Sequence, residues 1–186
     1  MEGRLFEGFV LTGGQSSRMG RDKALLPFDG STLLEQIAAR VRAAAGSVTL
    51  IGSPERYTGL GLPVAADLIE GCGPIGGVYT ALKISQAPWN LIVACDMPAV
   101  TTGFLAGLLE AARDTDAECL APETGAGRHP LCAVYHRRAL MALQCAIDHK
   151  SFKMHDLLSS IRTVSWPAAD ASLLENVNTP VEWGAR

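Results

Sequence analysis

Residues 90–95 read Asn-Leu-Ile-Val-Ala-Cys, and Asp96 follows at once. The run lacks the polar alternation of a strand with one wet face. It is also too short for a core helix. It predicts a strand covered on both sides, the habit of parallel sheets. Such a strand needs a layer over each face, and helical crossovers between parallel strands supply both.

The rest of the chain has the matching rhythm. Strands are expected at Phe6–Leu11, Ser47–Ile51, Leu62–Ala66, Glu118–Ala121, Leu131–Tyr135 and Ile161–Val164. Between them, Thr32–Ala45 places Leu33, Leu34, Ile37, Ala38 and Val41 at helical spacing, with Gly46 as its stop. Gly76–Ile84, Thr101–Ala112, Arg138–Ile147 and Met154–Leu158 read as further helices. The expected class is α/β, a mostly parallel sheet between two helical layers. A chain of 186 residues, 48% apolar and without repeats or linkers, fits one such domain over 1–186.

Composition narrows the function classes. The formal net charge of −3 is the wrong balance for a nucleic-acid binder. No apolar stretch approaches the ~20 residues of a membrane-spanning helix. The N-terminal MEGRLFEGFV lacks the pattern of a secretory signal, so a cytoplasmic protein is expected. The five cysteines are odd in number and form no C-x-x-C pair, which argues against a disulfide framework. Cys95 and Cys119 read as small buried hydrophobes. His129, Cys132 and His136 lie in HPLCAVYH, where strand alternation would point His129 and Cys132 to opposite faces; no zinc site is expected there.

In doubly wound sheets ligands sit beyond the carboxyl ends of strands. Past the first strand the sequence reads LTGGQSSRMGRDKALLP, residues 11–27. It matches neither G-x-G-x-x-G nor G-x-x-x-x-G-K-[ST]. Its physical logic is nonetheless that of an anion loop. Gly13 and Gly14 let backbone N–H groups approach phosphate oxygens, while Arg18 and Lys23 bring positive charge. A surface turn with solvated basic residues accounts for the same letters equally well. Asp96, just past the buried run, is placed to hold a divalent cation, which needs one or two carboxylates and phosphate oxygens; it also fits an ordinary turn aspartate. Asp67 precedes a loop with glycines at 71, 73, 76 and 77, which suits either close ligand approach or a plain turn into a helix. No G-x-S-x-G elbow, H-E-x-x-H motif or Cys–His pair supplies a nucleophile. That combination suits a reaction whose substrate brings its own anionic nucleophile, with catalysis by positioning and charge neutralisation.

These motifs resemble those of the molybdenum cofactor guanylyltransferases of MobA type. LTGGQSSRMGRDKALLP is similar to the family's L-A-G-G-x-S-x-R-M-G-x-D-K, and DLIEGCGPIGGVYTAL to its D-x-x-x-x-x-G-P-L-x-G-I-x-x-A-L. CDMP, RHPLCAVY and NVNTP resemble three further motifs, in the same order along nearly the whole chain. The resemblance implies a Rossmann-like three-layer α/β/α nucleotidyltransferase fold. It implies transfer of GMP from GTP to molybdenum-bound molybdopterin, yielding molybdopterin guanine dinucleotide and pyrophosphate, with Mg²⁺. Molybdoenzymes or cofactor-delivery proteins are further partners of such an enzyme; nucleic acid and membrane are not.

By position, Leu11, Thr12, Gly13 and Gly14 would contact the nucleotide, and Lys23 its phosphates, with Arg18 a phosphate partner. Asp67 would serve the base or ribose, and Asp96 the Mg²⁺. His129, Lys153, Asn176 and Asn178 are weaker candidates for the acceptor side. Arg21 is left outside the site. Thr12 stands where the family has alanine, no asparagine follows the second strand, and Lys153 stands in a region where relatives carry arginines. A sister enzyme using CTP is the nearest rival, but such sisters tend to read A-A-G and D-Q-P where this chain has TGG and CDMP. A non-catalytic nucleotide or cofactor carrier is the other, and the retained Lys23 and Asp96 weigh against it.

Overall fold

The computed structural model describes residues 4–12, 23–28 and 30–176. Its centre is a sheet with strand order β10-β7-β9-β6-β1-β4-β5, with β8 paired to β7. In chain order these are β1 (Phe6–Leu11), β2 (Pro27–Phe28), β3 (Ser31–Thr32), β4 (Thr49–Ile51), β5 (Val64–Ala65), β6 (Trp89–Ala94), β7 (Cys119–Thr124), β8 (Gly127–Arg128), β9 (Cys132–His136) and β10 (Thr163–Pro167). The helices are α1 (Leu33–Ala45), α2 (Pro54–Tyr57), α3 (Gly73–Ile84), α4 (Thr102–Arg113), α5 (Leu140–Asp148) and α6 (Met154–Ser160).

All six residues of β6 are buried. One core, with α1 and α4, packs Leu34, Ile37, Leu105 and Leu108 against Val10, Leu91 and Val93. The other, with α3, α5 and α6, packs Val78, Leu82, Leu143 and Leu157 against Phe9, Ile92 and Tyr135. Phe9, Val10 and Leu11 of β1 and Leu91, Ile92 and Val93 of β6 therefore alternate between the two cores, as the period-two geometry of a strand requires. This is the sheet between two helical layers that the pattern predicts, and the Rossmann-like three-layer fold that the resemblance implies.

Local chemistry sets the helix ends. Thr32 and Glu35 form a reciprocal capping box at the start of α1, and Gly46 closes it in the left-handed region. Pro74 sits in the first turn of α3, so that helix starts three residues before the expected Gly76. Strand β7 runs past the expected Ala121 to Thr124, through Pro122, whose carbonyl accepts from His129 N.

Strand direction is the larger result. β1 pairs in parallel with β4 and β6, and β4 with β5. β9 is reversed against both β6 and β7, and β7 and β10 are parallel. The carboxyl ends of β1, β4, β5, β6, β7 and β10 therefore share one edge with the start of β9. His129 precedes β9 in a loop, so the alternation argument does not reach it. Cys119 and Cys132 are fully buried, whereas Cys95 is only half-buried, because it lies one residue past β6 in the turn. Burial pushes the Cys132 thiol up to about 12, which keeps it protonated and inert.

Candidate functional site

The chain runs β1, β4, β5 to one side and then crosses back to put β6 on the other side of β1. The gap between β1 and β6 is thus a topological switch point, where a doubly wound sheet opens a crevice at its carboxyl edge. Leu11 pairs with Ala94 across this gap. Thr12 and Asp96 continue from those two strand ends and flank the crevice.

Thr12 is anchored twice. Its N–H and its hydroxyl both donate to the Ile51 carbonyl, at 3.0 and 2.8 Å. The buried hydroxyl, absent from an alanine at this position, ties the end of β1 to β4. Gly52 is its counterpart. A Cβ there would overlap Thr12 Oγ1 and stand 3.3 Å from both Thr12 Cβ and Tyr57 Cε2. Gly52→Ala is expected to destabilise the fold by about 1–3 kcal/mol. Thr12→Ala in the same chain should recover much of that loss, although alone it removes a hydrogen bond. Urea midpoints of the parent, the two single variants and the double test the interlock; strictly additive losses would refute it.

Lys23 opens a 3₁₀ turn, Lys23–Leu25, held by Ala24 in the α1-side core. Gly13, Gly14, Arg18, Arg21 and Asn178 lie outside the described residues.

Asp96 is half-buried in the turn after β6. That turn is fixed at its start by Cys95 N–H donating to the Leu11 carbonyl at 3.1 Å, and by the buried side chains of Met97 and Val100. Among the described residues no three His, Cys, Asp or Glu side chains gather as a metal cage. A magnesium ion bound with a triphosphate asks for less, one or two carboxylates with phosphate and water oxygens completing the octahedron. A single aspartate at the switch point suits that donor set.

Asp67 follows β5, three strand spacings from β6, or about 14 Å. At that spacing the two aspartates are too far apart to share one ion. Asp67 is open to solvent, yet the surrounding protein displaces enough water to push its carboxyl up, and the nearby Glu70 charge adds to this. The Leu68 N–H beside it donates to the buried Thr80 hydroxyl on α3 at 3.0 Å. The glycines expected to approach a ligand divide into two kinds. Gly71 and Gly73 have positive φ and make the turn. Gly76 faces the Ile69 carbonyl and Gly77 the Leu11 side chain, so these two serve helix packing.

Across β6 lies a second half-site. His129 Nε2 shares a 2.9 Å hydrogen bond with Thr124 Oγ1, and burial pushes its imidazole below the usual range. At neutral pH His129 is uncharged, a hydrogen-bonding group rather than a cation. Arg128 Nε donates to Ser165 Oγ at 2.9 Å, which joins β8 to β10. Lys153 is exposed at the start of α6, and Asn176 is exposed just after Leu174, which is buried in the α1-side core. Thr124 and Ser165 carried no sequence signal; Ser165 reaches Arg128, the neighbour of His129 in the chain, only through strand pairing.

A family model described as the MobA-like NTP transferase domain matches residues 8–164. A probable molybdenum cofactor guanylyltransferase of Flavobacterium johnsoniae is 33% identical, over 82% of this chain and 80% of that one. A relative of the same description in a Nostoc species is 35% identical over 92% and 85% of the two chains. Among solved structures, molybdopterin-guanine dinucleotide biosynthesis protein A of Archaeoglobus fulgidus superposes with a TM-score of 0.82 at 23% identity, over 96% of this chain and 95% of that one. The 2-C-methyl-D-erythritol 4-phosphate cytidylyltransferase of Thermus thermophilus superposes with a TM-score of 0.70 at 18% identity, over 95% of each chain. At those identities the two structures speak for the fold.

Proposed function

The chain belongs to the MobA-like NTP transferase family, and from that premise we propose that it is a molybdenum cofactor guanylyltransferase. It transfers GMP from GTP to molybdenum-bound molybdopterin. The observation that carries the reading is the division of one crevice. Thr12 and Asp67 lie on the β1–β4–β5 side, His129 and Arg128 on the β9–β7–β10 side, and Asp96 stands in the turn past β6, the strand between them.

The nucleotide lies along the first side. Gly13 and Gly14, which carry no side chain, would let backbone N–H groups approach the phosphates, and Lys23 and Arg18 would balance their charge. Asp67 accepts hydrogen bonds from the ribose or base at the far end. The acceptor's phosphate enters from the second side. One of its oxygens bonds to the α-phosphorus of GTP, the bond from that phosphorus to the bridging oxygen of the β-phosphate breaks, and pyrophosphate leaves. The nucleophile arrives ionised, so no side chain need act as base. What the protein contributes is alignment and charge neutralisation. Mg²⁺ held by Asp96, when bound, offsets the charge of the triphosphate. The acceptor site is the place for Lys153, Asn176 and Asn178, with His129 as a neutral partner.

The test supplies purified protein with molybdopterin, Mg²⁺ and either GTP or CTP. Pyrophosphate release is expected with GTP and not with CTP. Turnover with CTP alone would make the chain a cytidylyltransferase, and nucleotide binding without any turnover would make it a carrier.

A further inference from the structure

Arg40 lies in the middle of α1 and, in the sequence, looks like one more solvated helix cation. In the structure its Nη1 donates to two backbone carbonyls of the turn that carries Asp96, to Pro98 at 2.7 Å and to Val100 at 3.0 Å. We propose that Arg40 is a positioning residue for Asp96, a clamp that sets where the carboxylate stands in the crevice. The proposal rests on the guanylyltransferase reading above.

The physical case has three parts. First, the turn from Cys95 to Val100 leaves the sheet, so ladder hydrogen bonds cannot fix it. Its start is held by the Cys95–Leu11 hydrogen bond, and a 3.3 Å hydrogen bond from Val100 N–H to the Met97 carbonyl closes it internally. Arg40 supplies the outside attachment at the far end. Second, both contacts are charge-assisted and only partly exposed, which places them among the stronger hydrogen bonds of a protein. Both bonds leave one terminal nitrogen, so a lysine ammonium could replace them only as far as its shorter reach and mobile head allow. Third, the clamp joins the site to something stiff. Ile37, Ala38 and Val41, on either side of Arg40, are fully packed in the core, so α1 gives the turn a fixed reference. An error of about 1 Å in a metal-binding carboxylate costs up to about 100-fold in rate, even when its cause is remote from the chemistry.

Arg40→Gln and Arg40→Lys test this on the full chain with two readouts. In steady-state assays, R40Q is expected to lower kcat about 10- to 100-fold. It should also raise the Mg²⁺ concentration for half-maximal rate, with KM for GTP changed far less. R40K should fall between R40Q and the parent. In the protein without metal or nucleotide, hydrogen exchange should quicken at the amides of Cys95, Asp96, Met97 and Val100, while those of β1 and β6 keep their protection. Parental Mg²⁺ dependence and parental turn exchange in R40Q would overturn the proposal. The same result in R40K would overturn it should R40Q fail to unfold cooperatively. A parent that lacks GTP turnover is a different outcome. It sinks the guanylyltransferase reading, and the exchange data still decide whether Arg40 holds the turn.

Discussion

Asp96→Asn is expected to abolish Mg²⁺-dependent pyrophosphate release from GTP, a loss of at least about 100- to 1,000-fold, with the fold intact. The size follows from the function proposed for this carboxylate. It sits at the switch point, in the turn just past the strand between the two halves of the crevice, where the charge of the triphosphate and of the departing pyrophosphate must be balanced. Removing one preorganised electrostatic group of this kind typically costs two to three decades in rate, or roughly 3–4 kcal/mol. Asparagine keeps the shape of aspartate but removes its charge, and a neutral amide oxygen is a poor exchange for a carboxylate with a hard cation. The fold should survive because Asp96 is only half-buried and follows β6 rather than pairing within it. Pyrophosphate release and thermal unfolding, measured on the same preparation, check both halves. Near-parental activity at saturating Mg²⁺ would remove Asp96 from the metal site. Lost activity accompanied by a large fall in Tm would leave the variant explained by misfolding, and Asp96→Ser would then carry the functional half.

Gly8→Ala is expected to destabilise the fold by about 1–3 kcal/mol or somewhat more. Gly8 pairs with Leu91 in the middle of β1, where glycine is otherwise a weak strand residue. The reason for it is the closeness of α1. A Cβ at Gly8 would overlap Val41 Cγ1, stand 2.6 Å from the Ser47 carbonyl oxygen and lie 3.2 Å from Ala45 Cβ. The Ser47 oxygen is backbone, at the turn joining α1 to β4, and cannot rotate away. Relief would require α1 to lift from the sheet, with loss of contact along the Leu34, Ile37 and Val41 face. Gly77→Ala is the control, since its nearest neighbours, at 3.2 and 3.3 Å, are the movable ends of Leu11. Urea unfolding of both variants gives the comparison. A Gly8→Ala protein no less stable than Gly77→Ala would show that α1 is not seated as closely as described.

Glycine therefore has several separate uses in this chain, and the sequence does not distinguish them. Gly46 ends a helix and Gly71 makes a turn, which short-range rules predict. Gly8, Gly52, Gly76 and Gly77 make room for parts of the chain far away or across a helix turn. The letters show that a side chain is missing but not what fills its place. Arg40 presents the same difficulty. Its partners are 58 and 60 residues away, and only the packing of α1 beside the β6 turn brings them within reach.

What the sequence by itself determined is whatever depends on neighbours along the chain. Apolar periodicity located α1 and α4, and the run at 90–95 predicted a doubly covered strand. The five ordered motifs identified the family, and strand ends carried Thr12, Asp67 and Asp96. Elements of two to four residues, β2, β3, β8 and α2, escaped because they are too short to display a period. Strand direction, which put His129 beside the crevice, was decided only by tertiary structure. A strand has the same side-chain alternation whichever way its neighbour runs, so reversal of β9 leaves no mark in the letters. The separation of Asp67 from Asp96 and the attachment of the Asp96 turn to Arg40 arise in the same way, from pairings and packing that no local pattern encodes.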